Sequence, residues 1–292
     1  MIRLAVQGRL SVEQSELERL SELVDMLGTR TLRAGVNLNW TEKQVEGIRK
    51  FLDEREIRVG EVPGLFRSLS HPDRHIREAA IAQYKKKIRL VHILGAHCTG
   101  FAPGTCNPPD SRVGLHKDNW SEETWQCFIR STTEIAREAE AYGVTLAAHP
   151  MITGPLCSVE RMRRLVDEVG SPKVKILLDP VNITSIEAYF DMTGFLNRIF
   201  DVLGDDIVAM HAKDVEIYSE SDFGAPWRQS IFHIDEALPG KGLLDYDTIL
   251  RRLDGLSGDP ILIIEHIKND DETILAKHYI EHIARKNGIR LG

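Results

Sequence analysis

Apolar and polar positions follow two rhythms along this chain, short unbroken apolar runs and longer stripes with a period near 3.6, and the two take turns from end to end. Arg3 to Val6 reads as a first strand. Glu13 to Leu27 reads as a helix with Leu17, Leu20, Val24 and Leu27 on one face, ended by Gly28. Thr31 to Gly35 is a second strand, Thr41 caps a helix through Val45, Ile48 and Leu52, and Ile57 to Val62 is a third strand closed by Pro63 and Gly64. His71-Pro72-Asp73 opens a helix to about Lys87, and the run from Leu90 to Leu94 reads as strand four. Residues 95–120, rich in Gly, Pro, Asn and Asp, show no period and read as a long loop over one end of the fold. Ser121-Glu122-Glu123-Thr124 is a capping signal for a helix reaching Tyr142 before Gly143.

Four further apolar runs each close on one polar residue. They are Val144 to Ala148 before His149, Val174 to Leu178 before Asp179, Ile207 to Met210 before His211, and Ile261 to Ile264 before Glu265. Each has the length and aliphatic content of a strand buried on both faces. The intervals between the polar residues are 30, 32 and 54 residues. One strand, helix and return turn take roughly 30 residues, so the last interval is one such unit carrying an insertion, a loop over about 214–244. Helices over about 158–169, 187–203, 246–253 and 272–286 complete eight strands and eight helices.

This alternation predicts a parallel sheet. Closure into a single-domain α/β (β/α)8 TIM barrel over residues 1–292 is favoured, because no Gly-x-Gly-x-x-Gly follows the first strand and the polar strand ends belong to consecutive units. In such a barrel all four polar side chains lie at the carboxyl ends of neighbouring strands, where barrels of this kind place their chemistry. Two imidazoles and two carboxylates there form a donor set for one divalent metal, with Mn2+ the first choice and Mg2+, Co2+ or Zn2+ also compatible. Singly, each residue has a plainer role: a packing histidine, a turn-forming Asp before Pro180, half of an ion pair at Glu265.

Composition narrows the partners. A net charge of -7 and a pI near 5.9 argue against a surface that tracks nucleic acid. The basic run Lys85-Lys86-Lys87 with Arg89 reads as a solvated helix end. Cys98, Cys106, Cys127 and Cys157 form no Cys-x-x-Cys pair, which points to reduced thiols. No apolar run reaches the length of a membrane span, so the expectation is a cytoplasmic protein with no membrane partner; homo-oligomerisation is left open.

Several segments also carry a resemblance. His211-Ala212-Lys213-Asp214 after a strand, Leu178-Asp179-Pro180-Val181-Asn182, Leu238-Pro239-Gly240-Lys241-Gly242-Leu243-Leu244-Asp245-Tyr246 and a Glu ending the last strand resemble the xylose isomerase-like TIM-barrel superfamily, and within it the sugar phosphate isomerase/epimerase-like enzymes. That resemblance implies a Glu, an Asp, a His and a Glu from successive strands around one divalent metal. Asp179, His211 and Glu265 take the last three places and His149 stands where the family has its first Glu. In the family's epimerases the two glutamates are acid/base groups on opposite faces of the substrate. Histidine is able to replace a carboxylate both as ligand and as proton carrier.

The chemistry expected is deprotonation next to a carbonyl by Glu265 or His149, giving a metal-stabilised enediolate of a small carbohydrate. Reprotonation then gives epimerisation or isomerisation. Expulsion of a neighbouring group makes the protein a lyase or dehydratase acting on a keto-sugar or keto-inositol, which needs one base and one acid in place of two symmetric bases. Lys213 is the candidate acid or substrate contact; Asn182, His97 and Lys241 are candidate substrate contacts, and Trp40, Trp120 and Trp227 candidate apolar faces for a sugar ring. Two other classes compete: a multi-zinc apurinic-site endonuclease, disfavoured by the acidic balance, and a catalytically silent barrel serving as a subunit beside an oxidoreductase.

Overall fold

The computed structural model describes residues 1–107, 114–220 and 231–292, apart from the side chains of 219, 220 and 231–233. Eight parallel strands close into a barrel: β1 (Arg3–Gln7), β2 (Thr31–Arg33), β3 (Arg58–Val62), β4 (Cys98–Phe101), β5 (Leu146–Ala148), β6 (Val174–Leu178), β7 (Ile207–Ala212) and, after an antiparallel hairpin of β8 (Asp214–Glu220) and β9 (Ile231–Ala237), β10 (Ile261–Ile264). Their order around the barrel is β1-β10-β7-β6-β5-β4-β3-β2. The helices are α1 (Gln14–Leu27), α2 (Glu42–Asp53), α3 (Arg74–Leu94), α4 (Glu122–Tyr142), α5 (Val159–Val169), α6 (Ile186–Phe190), α7 (Met192–Leu203), α8 (Tyr246–Asp254) and α9 (Asp270–Lys286). The expected caps form: Thr41 makes a reciprocal capping box with Gln44, and the Ser121 hydroxyl accepts from the Thr124 amide. No helix among the described residues is long and apolar enough to cross a membrane.

The barrel's interior explains where its polar residues go. Ala5, Cys98, Ala147, Leu177, Ala209, Ile261 and Ile263 fill the lumen, while the alternate positions pack outward against the helices. Side chains two apart on a strand share a face, so His149 follows Ala147 into the lumen, Asp179 follows Leu177, His211 follows Ala209 and Glu265 follows Ile263. β3 carries a register shift: Leu32 pairs with Val59 but Arg33 pairs with Glu61. The extra residue, Gly60, is a bulge that turns Glu61 to the lumen beside Arg33.

Five expectations are corrected. Leu90–Leu94 is the end of α3, not a strand; Tyr84, Ile88 and Val91 continue its buried stripe until Gly95 stops it at φ 74. Strand four is Cys98–Phe101, inside the supposed loop 95–120. The insertion 214–244 is built largely around the β8–β9 hairpin. Lys87 is no solvated helix end: α3 continues seven residues beyond it, and its buried ammonium donates to the carbonyls of Val62, Pro63 and Gly100. The helix expected over 187–203 is two, because Asp191 caps a new start by accepting from the Gly194 amide.

Candidate functional site

At the carboxyl end of the barrel, β5, β6, β7 and β10 deliver four side chains to one buried cluster. His149 Nε2 lies 3.0 Å from Asp179 Oδ2, and His211 Nδ1 lies 3.2 Å from the same oxygen. One ligand atom from each of His149, Asp179 and His211 falls within 4.8 Å of the others. Glu265 Oε2 is 2.7 Å from His211 Nδ1, yet that oxygen is buried with no aligned hydrogen-bond donor. Both histidines hydrogen-bond to Asp179 Oδ2, and the Glu265 oxygen beside them is left over from that arrangement. The two imidazole nitrogens and the Asp179 oxygen fit a divalent cation, and the Glu265 oxygen stands beside them at His211.

Electrostatics in this buried volume are strongly coupled. Burial pushes the Asp179 carboxyl up, but the Lys213 ammonium and hydrogen bonds from His149 and His211 outweigh it and hold the group well below the usual carboxylate range. Burial keeps His149 neutral against the pull of Asp179. For His211 burial is outweighed by Asp179, Glu265 and Glu61, which raise its pKa well above the ordinary value. Glu265 is lowered despite burial by His211, Arg33 and Lys213.

Lys213, one residue beyond β7, joins the cluster directly: its Nζ is 2.9 Å from Asp179 Oδ2, 2.8 Å from Glu236 Oε1 on β9 and 3.3 Å from Asn182 Oδ1. Asn182 is brought over by the single turn Val181–Ile183 after Pro180; its amide nitrogen stands 3.1 Å from His149 Nε2. Lys241 lines a cavity of about 280 Å³ together with Lys213, Glu236, Glu265 and His266. The loop that carries it hangs on Asp214, whose carboxylate accepts the amides of Val215, Gly240 and Leu244. A Cβ on Gly242 would lie 2.3 Å from the Val215 carbonyl oxygen, so the His-x-Lys-Asp and Pro-Gly-x-Gly segments occur together because one packs onto the other.

His97 does not join them. It was expected beyond strand four, but the strand begins after it, so His97 lies at the amino end of the barrel in a cavity with Arg3, Arg49 and Arg58. Trp40 packs against the core, Trp120 is part-exposed with its indole N–H donating to the Ile152 carbonyl, and Trp227 lies outside the described residues. Sequence reasoning missed Arg33, Glu61, Glu236 and His266. Arg33 and Glu61 were visible as charges inside apolar strands; His266, directly after Glu265, sits at φ 57 and contacts Glu236 Oε2 at 2.5 Å. Glu236 had no signal.

A family model described as xylose isomerase-like TIM barrel matches residues 19–286. Among solved structures, a mannonate dehydratase from Streptococcus suis serotype 2 is similar at TM-score 0.71 and 15% identity, covering 99% of this chain and 95% of that one. A D-psicose 3-epimerase from Clostridium cellulolyticum H10, solved with D-tagatose, is similar at TM-score 0.68 and 18% identity, covering 97% and 99%. An IolI protein solved with a zinc atom is similar at TM-score 0.66 and 17% identity, covering 98% and 96%. No curated protein matches the chain.

Proposed function

The chain belongs to the xylose isomerase-like TIM-barrel family, and from that premise we propose that it is a divalent-metal-dependent enzyme of the sugar isomerase/epimerase kind. One observation carries this reading: His149, Asp179 and His211 bring one ligand atom each within 4.8 Å of the others, and Glu265 sets beside His211 a buried oxygen with no aligned hydrogen-bond donor. A divalent ion there supplies Lewis-acid polarisation of a substrate carbonyl and its neighbouring hydroxyl.

The chain's own groups do the rest. His149 and Glu265 stand across the mouth from one another, on β5 and β10 with β6 and β7 between them, so they address a substrate from different sides. Glu265 is the proton acceptor when His149 holds the ion; with its ring free of the ion His149 takes that role, and burial keeps it in the neutral form the role needs. Asn182 and Lys213 are placed to bind substrate oxygens, and the Lys213 ammonium is a donor for charge developing on one of them. The mannonate dehydratase and the D-psicose 3-epimerase among the similar structures support sugar or sugar-acid chemistry, and the zinc of the third supports a divalent ion.

Elimination is the second reading. The site has a neutral imidazole on one side and an anionic carboxylate beside an ammonium on the other, an unsymmetrical pair that suits one base and one acid. The test is proton exchange at the carbon next to the carbonyl of candidate keto-sugars, in deuterated water with added Mn2+. Deuterium incorporation with an isomer or epimer as product supports the first reading, and an unsaturated or dehydrated product the second. Absence of both exchange and any new product across a broad keto-sugar panel in the ion-loaded protein refutes both.

A further inference from the structure

Behind the four strand-end residues stands a buried pair that touches two of them. Arg33 Nε donates to Glu61 Oε2 at 2.8 Å, and Arg33 Nη2 lies 2.8 Å from Glu265 Oε1. Glu61 Oε2 in turn lies 3.4 Å from His211 Nε2. Both carboxylates are almost wholly buried, and the Arg33 side chain is only 12% exposed.

We propose that Arg33 and Glu61 are positioning residues that decide which atom His211 and which atom Glu265 present to a divalent cation. The proposal rests on the metal-binding reading above and goes beyond its four residues. An imidazole has two nitrogens, and a carboxylate beside one of them holds the N–H there and leaves the other free as a ligand. Glu61 stands on the Nε2 side, so the nitrogen turned to the centre is Nδ1. A carboxylate has two oxygens. Arg33 takes Oε1 of Glu265, and the oxygen left without a donor is Oε2, the one facing His211 Nδ1.

The backbone is shaped for this arrangement. The bulge at Gly60 is what turns Glu61 inward, and a Cβ on Gly100 would come within 2.8 Å of Glu61 Oε1. The bare Gly100 on the next strand therefore leaves the space the Glu61 carboxylate occupies. Gly100 does not need a left-handed conformation, so its lack of a side chain answers to that contact and to the nearby Gly64 amide at 3.1 Å. A buried ion pair contributes little net stability against apolar residues of like volume, so orientation is the stronger account of why charge is kept here.

The full chain, stripped by chelator, is titrated with Co2+ in competition with a chelating dye. The visible absorption of bound Co2+ and the melting temperature of the ion-free protein are recorded alongside. Glu61→Gln, Arg33→Gln and Gly100→Ala are each expected to weaken Co2+ binding by about 10- to 100-fold. Each is also expected to alter the absorption band; the ion-free melting temperature falls in the two charge variants, which leave a buried partner uncompensated, and moves by no more than about 3 °C in Gly100→Ala. Gly100→Ala removes no charge, so it keeps the test open should a charge variant fold poorly. Wild-type Co2+ affinity and band shape in Gly100→Ala and Glu61→Gln would overturn the proposal, as would a fall in melting temperature with affinity unchanged. A wild-type chain that takes up no Co2+ overturns the metal reading itself, and this inference with it.

Discussion

At the amino end of the barrel a cavity of about 340 Å³ is lined by Arg3, Arg49, Arg58 and His97, while at the carboxyl end one of about 280 Å³ is lined by Lys213, Glu236, Glu265 and His266. The larger hollow holds the simpler electrostatics. Arg3 pairs with Asp259, which is about half exposed, and Arg49 pairs with the exposed Asp53. Such pairs are screened by water and add little to stability. At the carboxyl end Asp179, His211, Lys213 and Glu265 are all buried, share partners, and leave one oxygen unmatched. What separates the two ends is the number of charges taken out of water and aimed at one place, a cost that chemistry explains better than folding does.

The contrast breaks most sharply at Asp179, the carboxylate that both histidines and Lys213 share. Asp179→Ala is expected to reduce turnover by more than about a hundredfold, beyond the effect of outer residues at such centres. Far-ultraviolet circular dichroism of that variant should match wild type, since the residue lies beyond the end of β6. Lys213→Met separates binding from chemistry. It removes an ammonium 2.9 Å from Asp179, so a divalent ion should bind about tenfold more tightly as one competing charge disappears, while turnover falls. Tighter binding without loss of turnover would remove Lys213 from the reaction. At the other end, Arg3→Ala should cost no more than about 1 kcal/mol in urea unfolding. His97→Ala, the smallest change of all, should leave ion affinity and kcat/KM at wild-type values; a clear loss of either would join the amino-end cavity to the site.

How far the chain could be read without coordinates depended on how locally each feature is encoded. β5, β6, β7 and β10 were legible because each is apolar on both faces and stops at one polar side chain, and a two-residue step from a lumen-filling Ala, Leu or Ile carries that side chain to the mouth. β4 was not, because Cys98-Thr99-Gly100-Phe101 is short and mixed, whereas Leu90–Leu94 looks like a strand while continuing a helical stripe. The error displaced His97 to the wrong end. Arg33 and Glu61 escaped because their meeting depends on a register shift at Gly60, which is a property of the paired strands and not of either alone. The contribution of Glu236 depends on the hairpin folding back beside Lys213, a long-range event with no local mark.

The most direct measurement is equilibrium dialysis of the chelator-stripped chain against Co2+ or Zn2+, counting bound ions per chain in wild type and in Asp179→Ala. One ion per wild-type chain, lost in the variant, is the result the proposed site predicts, since Asp179 is the member both histidines share. No bound ion, or an ion held with equal affinity after Asp179→Ala, would contradict it.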